Sequence, residues 1–301
     1  MPASRQPGMD QSHYDWSYLP ARPKLSWGGE TNLVVNFVIS MEYFDIDPPA
    51  DSKQSAWLTG GLGPRPFPNY ACLSHREYGH RVGIFRILQS LGRHGITPTI
   101  ALDGLTARNY PWLVERLVAS DADIIGHGMA VTRLITSAMS VEQERAYIEE
   151  SLAAVESVTG LRPVGWLSPD QSESEHTPQL LDEAGVRYVC DWSNDEQPYR
   201  MNTPSRLLSL PLTLEFDTAF ALSTRGMLPD NYERMVIRGL NQMTQEGADS
   251  GLLAMINLHP WIIGQPFRIG TLDKILEHVA GLSAATCLTT GKTAQKSEDI
   301  L

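Results

Sequence analysis

Strand-length apolar runs alternate with helix-length amphipathic stretches about seven times along this chain, and that rhythm restricts the fold more than any other feature. The clearest run is Leu33 to Ile39, LVVNFVI, with no polar alternation, as expected of a strand buried on both faces in a parallel sheet. Tyr78 to His94 follows with apolar residues at Val82, Ile84, Phe85, Ile87, Leu88 and Leu91, a helical period closed by Gly95. Further strands are expected at 96–102, 123–125, 164–167, 188–190, 207–214 and 252–258. Helices are expected at 110–119, 141–159, 179–184, 231–246 and 271–279. Residues 46–70 are rich in Pro and Gly and read as a loop. The pattern predicts a mostly parallel sheet covered by helices. The expected organisation is an extended, aromatic arm at 1–30, one α/β domain at 31–287 and a polar, frayed tail at 288–301.

At 301 residues, with 42% hydrophobic and 20% charged residues, the chain is long enough for one large α/β core. Its formal charge of −11 argues against nucleic acid or an anionic membrane as partner. Three cysteines, Cys72, Cys190 and Cys287, show no C-x-x-C spacing. That count argues against a disulfide framework or a thiolate zinc site and fits a reducing cytoplasm. No apolar run is long enough to span a membrane, and the first residues lack the apolar stretch of a signal peptide.

In such folds, ligands bind at the carboxyl ends of strands. The polar residues that follow the expected strands are therefore the candidates: Glu42, Asp103, His127, Ser168, Asp170, Asp191, Asn194, Asp195, Glu215, Asp217 and His259. A lone carboxylate after a strand is often only a helix N-cap, the expectation for Asp103 and Asp170. His127 lies between two glycines, where backbone can approach a ligand, and His259 precedes Pro260, which restricts its backbone. The other histidines, His80 among them, read as surface residues. A carboxylate beside imidazoles can act as general base toward water, and an imidazole can protonate a leaving nitrogen. Backbone N–H groups from Gly126 to Met129 are candidates for stabilising an oxyanion.

Eight segments then carry a resemblance over about 250 residues: WGGETNLVVNFVISMEYFD, YGHRVGIFRIL, GITPTIAL, IIGHGMAVT, GWLSPD, YVCDWSNDEQPY, LPLTLEFDT and LLAMINLHPWIIGQPFRIGTLDKILEHV. In this order they resemble the polysaccharide deacetylase (NodB-like) superfamily, and within it the cofactor-independent branch of allantoinases, cyclic imide hydrolases and peptidoglycan deacetylases. The resemblance implies a deformed (β/α)7-type barrel in a single domain and hydrolysis of a non-peptide C–N bond. It implies Glu42, His127 and His259 as catalytic residues. Tyr78, Arg81, Trp166, Asp191, Asn194, Asp195 and Glu215 are the expected substrate contacts.

Two departures bear on cofactors. Metal-dependent relatives carry an Asp near the end of strand one and a His-x-x-x-His pair; here Tyr43 and Phe44 follow Glu42, and Val131 stands at the second histidine position. The expectation is chemistry without a cofactor on a small amide, ureide or cyclic imide. The alternatives are a deacetylase using zinc or another divalent metal on the same three residues, and an inactive barrel that binds ligand. The segment before Tyr78 departs too, so substrate identity does not carry over. Relatives of this branch are often homo-oligomers, the expected state here.

Overall fold

The computed structural model describes residues 11–55, 58–63 and 65–301. The fold is organised around β1, Leu33–Met41, whose nine residues are all buried. On one side β1 pairs in parallel with β8, Leu252–Leu258, from Leu33↔Leu252 to Ile39↔Leu258. Its other edge is shared. The first half pairs with β9, Ala285–Cys287, and the second half with β2, Thr99–Leu102. Beyond β2 the sheet continues in parallel through β3 (Asp123–Gly126), β4 (Gly165–Trp166), β5 (Tyr188–Val189) and β7 (Leu208–Ser209). A short antiparallel strand, β6 (Tyr199–Arg200), ends it. The order is β6-β7-β5-β4-β3-β2-β1-β8, so the sheet stays open between β8 and β6.

The period-2 geometry of β1 assigns its side chains to two cores. Leu33, Val35, Phe37, Ile39 and Met41 face the outer helices and join the largest apolar cluster. Val34 and Val38 face inward with Trp27, Leu208, Leu253 and Met255. Asn36 and Ser40 share that inward face, and each is hydrogen-bonded: Asn36 donates to the Leu288 carbonyl and Thr293 hydroxyl at 2.8 Å, and Ser40 to Asn257 at 2.9 Å. Glu42 comes next in the same alternation.

The helices follow the expected rhythm with several additions. The segment before Tyr78 becomes helical at Asn69, whose side chain caps α1, Tyr70–Tyr78. A π-helical turn, Gly79–Gly83, then joins α1 to α2, Ile84–Arg93. That turn lies against the chain after β8. A Cβ on Gly83 would stand 2.1 Å from the Pro260 carbonyl oxygen, so only glycine allows the approach. Before α4, Pro111–Val118, the structure adds α3, Gly104–Asn109, capped by Asp103. Next comes α5, Val141–Thr159, opened by a Ser140–Gln143 capping box and closed by left-handed Gly160. The expected strand at 207–214 pairs only at Leu208–Ser209, and Leu214–Phe216 form a 3₁₀ turn. Then follow α6, Thr177–Glu183; α7, Pro229–Glu246; α8, Pro260–Ile263; and α9, Ile269–Ala280.

The final segment is corrected outright. Residues expected to fray form α10, Thr290–Ile300, capped by Thr289, with Thr290, Thr293, Ala294 and Ser297 buried. Its low apolar content hid it; small hydroxyl residues make its inner face, bonded to Asn36 and Thr99. The described part of the arm is held as well: Trp27 is buried and donates to the Leu252 carbonyl at 2.8 Å, and Arg22 pairs with Asp195. Residues 1–10 of the expected arm lie outside the described residues. The cysteines are free, and among the described residues no helix is long and apolar enough to cross a membrane.

Candidate active site

Register brings the site together. Leu102 pairs with both Met41 and Gly126, so the next residues, Glu42, Asp103 and His127, emerge in one row from three adjacent strands. Leu258 pairs with Ile39, so His259 emerges beside them on the other flank of β1. Glu42, His127 and His259 are 4%, 1% and 2% exposed. Glu42 Oε1 lies 3.7 Å from His127 Nε2 and 3.6 Å from His259 Nε2. Glu42 Oε1 and His127 Nε2 are buried and find no hydrogen-bond partner among the described residues. Such atoms demand a partner, whether water or substrate.

The second oxygen of Glu42 is taken. Arg76 Nη1 donates to Oε2 at 2.8 Å, with both side chains 2% exposed. Arg76 is fixed in turn: its Nε donates to the Leu58 carbonyl at 2.9 Å, and its guanidinium lies 4.6 Å from the Trp261 ring centroid. Burial alone raises the pKa of Glu42, but His259, His127 and Arg76 together outweigh it and hold the carboxyl well below its ordinary range. Glu42 is therefore an anion across the neutral range.

His259 is oriented from behind. Its Nδ1 lies 3.2 Å from the Thr218 hydroxyl and 3.7 Å from Asp217 Oδ1. Asp217 is pinned by the amides of Ala219 and Phe220 at 2.7 and 2.9 Å and by Asn257 at 2.8 Å. Burial lowers the pKa of His259, yet the Asp217 and Glu42 carboxylates more than compensate, and the net shift is upward. The Nδ1 of His127 faces the Leu167 carbonyl. Its tautomer is thereby set as Nδ1–H, with Nε2 aimed at Glu42.

Other candidates fall elsewhere. Asp191 is buried near His127 and accepts from the Ser168 amide at 2.6 Å. Burial raises the pKa of both Asp191 and neighbouring Glu173. Asp103 serves as the N-cap expected of it, accepting from Thr106 at 2.6 Å and from Tyr43. Trp166 is a core side chain, fully buried and bonded to Ser168. Tyr78 is half-buried, directed at Gly264 and Arg86 rather than at Glu42. Arg81 is exposed on the π-helical turn. Glu215 is exposed and paired with Arg225 at 2.9 Å; Asp217, two residues on, turns inward instead. Asn194 and Asp195 line a separate cleft of about 550 Å³ beside the arm, which contains none of Glu42, His127 or His259. Two of the amides from Gly126 to Met129 are committed. The His127 amide donates to Leu102 and the Met129 amide to Tyr147, and a Cβ on left-handed Gly128 would meet the Tyr147 hydroxyl at 2.5 Å. These glycines serve packing.

His80, expected at the surface, is buried against Tyr110, with ring centroids 4.9 Å apart. Burial pulls its pKa down to about 4. His80 and Arg76 line two small cavities of about 10 Å³ each beside Glu42, each large enough for one water. Arg76 and Trp261 are the neighbours that sequence reasoning left out of the site, and Asp217, a candidate by its place after a strand, was passed over for Glu215 as a substrate contact. Arg76 had a signal: a charged residue two positions before Tyr78, on what proves to be the inward side of α1.

The three residues proposed as ligands in the metal alternative suit a divalent cation poorly. Their only carboxylate already accepts from a guanidinium, and the second histidine position, Val131, is buried in an apolar cluster with Phe44, Leu58 and Cys72. Among the described residues, no group of three or more His, Cys, Asp or Glu side chains is placed to hold a metal ion.

Residues 77–189 match the family model for polysaccharide deacetylase. The chain is 24% identical over 298 residues to a Schizosaccharomyces pombe protein classed with the polysaccharide deacetylases, covering 89% of this chain and 91% of that one. It is 24% identical over 180 residues to the peptidoglycan deacetylase of Helicobacter pylori, 60% of each chain. The solved structure of Puue allantoinase superposes with a TM-score of 0.82 at 25% identity, covering 92% of this chain and 94% of that one. A polysaccharide deacetylase-type structure from Pseudomonas aeruginosa gives 0.82 at 22% identity, covering 92% and 95%. The open parallel sheet is thus the deformed barrel of that superfamily. Residues 77–189 thus carry a match to the polysaccharide deacetylase family model, and the chain as a whole shares its fold with the solved polysaccharide deacetylase-type and allantoinase structures.

Proposed function

We propose that this protein hydrolyses a non-peptide C–N bond in a small amide, ureide or cyclic imide, using Glu42, His127 and His259 as its acid–base groups and no metal. One observation carries this reading: a single oxygen of Glu42 lies within 3.7 Å of both imidazoles. A water in that space would touch an anion and two ring nitrogens. His127 Nε2, or Glu42 itself, takes the water proton as the oxygen attacks the carbonyl carbon. His259, kept protonated by Asp217 and Glu42, gives its proton to the departing nitrogen. An amine leaves poorly until it is protonated, so the second step is as necessary as the first. The enclosure of Glu42, His127 and His259, each no more than 4% exposed, favours a compact substrate over a polymer chain.

The test is a screen of purified protein against hydantoins, cyclic imides, ureides and N-acetyl compounds after exhaustive chelation. The expected result is hydrolysis that survives chelation and falls by about 10²–10⁴-fold in Glu42→Gln, with circular dichroism unchanged. Activity lost on chelation and restored by zinc overturns the metal-free mechanism. Binding without turnover overturns hydrolysis.

A further inference from the structure

We propose that Arg76 is the resident cation of this site: it aims and neutralises Glu42, and by occupying that position it excludes a divalent metal. This rests on the reading of Glu42 as the acid–base carboxylate.

The carboxylate of Glu42 is divided between two tasks. Oε2 accepts the Arg76 hydrogen bond at 2.8 Å, and Oε1 is left facing two imidazoles. Without Arg76 nothing described would hold Oε2, and the carboxyl would be free to rotate. Arg76 itself cannot swing away, because the Leu58 carbonyl and the Trp261 ring fix both its ends. The Trp261 contact depends on glycine. Gly83 lets the π-helical turn lie on Pro260, which brings Trp261 to Arg76. A guanidinium suits the position because it stays charged in any environment and its donors have a fixed geometry. A divalent ion on Glu42 Oε1 would meet this fixed positive charge across one carboxylate, in surroundings of low dielectric.

The alternative is an ion pair that serves only to stabilise the fold. The two roles separate in a metal titration, which needs no substrate. Zinc and cobalt(II) chloride are titrated by calorimetry and visible absorption into the wild type, Arg76→Met, Arg76→Gln, Arg76→Lys and the double variant Arg76→Met with Glu42→Gln. The expected wild type has no site tighter than about millimolar. A neutral residue at position 76 should tighten binding at least about tenfold, with loss of that gain on adding Glu42→Gln. Arg76→Lys should stay close to wild type. A micromolar wild-type zinc site abolished by Glu42→Gln overturns the proposal. So does unchanged binding in whichever of Arg76→Met and Arg76→Gln folds. With a substrate in hand, Arg76→Lys should lower kcat about tenfold with KM within about twofold, a misaimed carboxylate rather than a lost binding contact. An unchanged kcat there overturns the aiming role. If no substrate is found, hydrolysis fails while the titration still decides the exclusion of metal.

Discussion

Asp217 faces the Nδ1 of His259 at 3.7 Å, while the Nε2 of the same ring faces Glu42 at 3.6 Å, so one imidazole is held between two carboxylates. Its elevated pKa follows from that placement against the opposing effect of burial. A group whose folded pKa is raised keeps its proton below that value and loses it as pH rises through it. Activity that needs the imidazolium should therefore decline on the alkaline side. In Asp217→Asn the alkaline limb should move to lower pH, and kcat at neutral pH should fall about 10–100-fold. A pH–rate profile of the variant checks this; an unmoved alkaline limb would assign the acid to another group.

His80 should make the fold acid-sensitive. Its pKa is about 4 in the folded state, against an ordinary 6.5. For a histidine buried neutral, the unfolded chain takes up the proton first, so stability is lost as pH falls from about 6.5 toward 4. The shift corresponds to about 3 kcal/mol across that window. His80→Phe, which keeps a ring against Tyr110, should flatten the slope. Denaturant titrations at pH 7 and pH 5 measure it.

Gly83→Ala should be among the most damaging single-methyl changes in the molecule. The added carbon would stand 2.1 Å from the Pro260 carbonyl oxygen, and backbone on both sides would have to part. A cost of about 1–3 kcal/mol is expected, and with it a displacement of Trp261 away from Arg76. A lowered Tm accompanied by unchanged turnover would show that the two segments move without disturbing Glu42.

Removal of residues 290–301 should destabilise the core rather than trim a loose end. Asn36 would lose the Thr293 hydroxyl, and Thr99 would lose Thr290. Each exposed or orphaned buried polar group costs about 1–3 kcal/mol. Thermal unfolding of the truncated chain checks this, with no change in Tm as the contrary result.

The helix–strand rhythm, the parallel sheet and the three residues now gathered at Glu42 were legible because each depends on local pattern and on one rule about strand ends. Glu42 and His259 follow the two clearest apolar runs, and His127 follows a short strand marked by its flanking glycines, so that rule found them. Glu215 and Asp217 lie two residues apart after a poorly defined strand, and sequence alone offered no reason to prefer the inward one. Arg76 escaped because its role depends on Trp261, nearly 200 residues later, and on a π-helical turn that no periodicity announces. His80 looked solvent-facing for the same reason: the π-helical turn rotates it inward. The last helix was hidden by hydroxyl residues that satisfy one another only once Asn36 and Thr99 are beside them.

The strand that carries Glu42 is hydrogen-bonded on both edges, to β8 on one and to β9 and β2 on the other. Its amides should be among the slowest in the protein to exchange with solvent. The acid therefore stands on the least compliant part of the scaffold, whereas Arg76 and Trp261 ride on short helices bound to the sheet by side chains. Any displacement of those helices would therefore be felt first at Arg76, and through it at the Glu42 carboxylate.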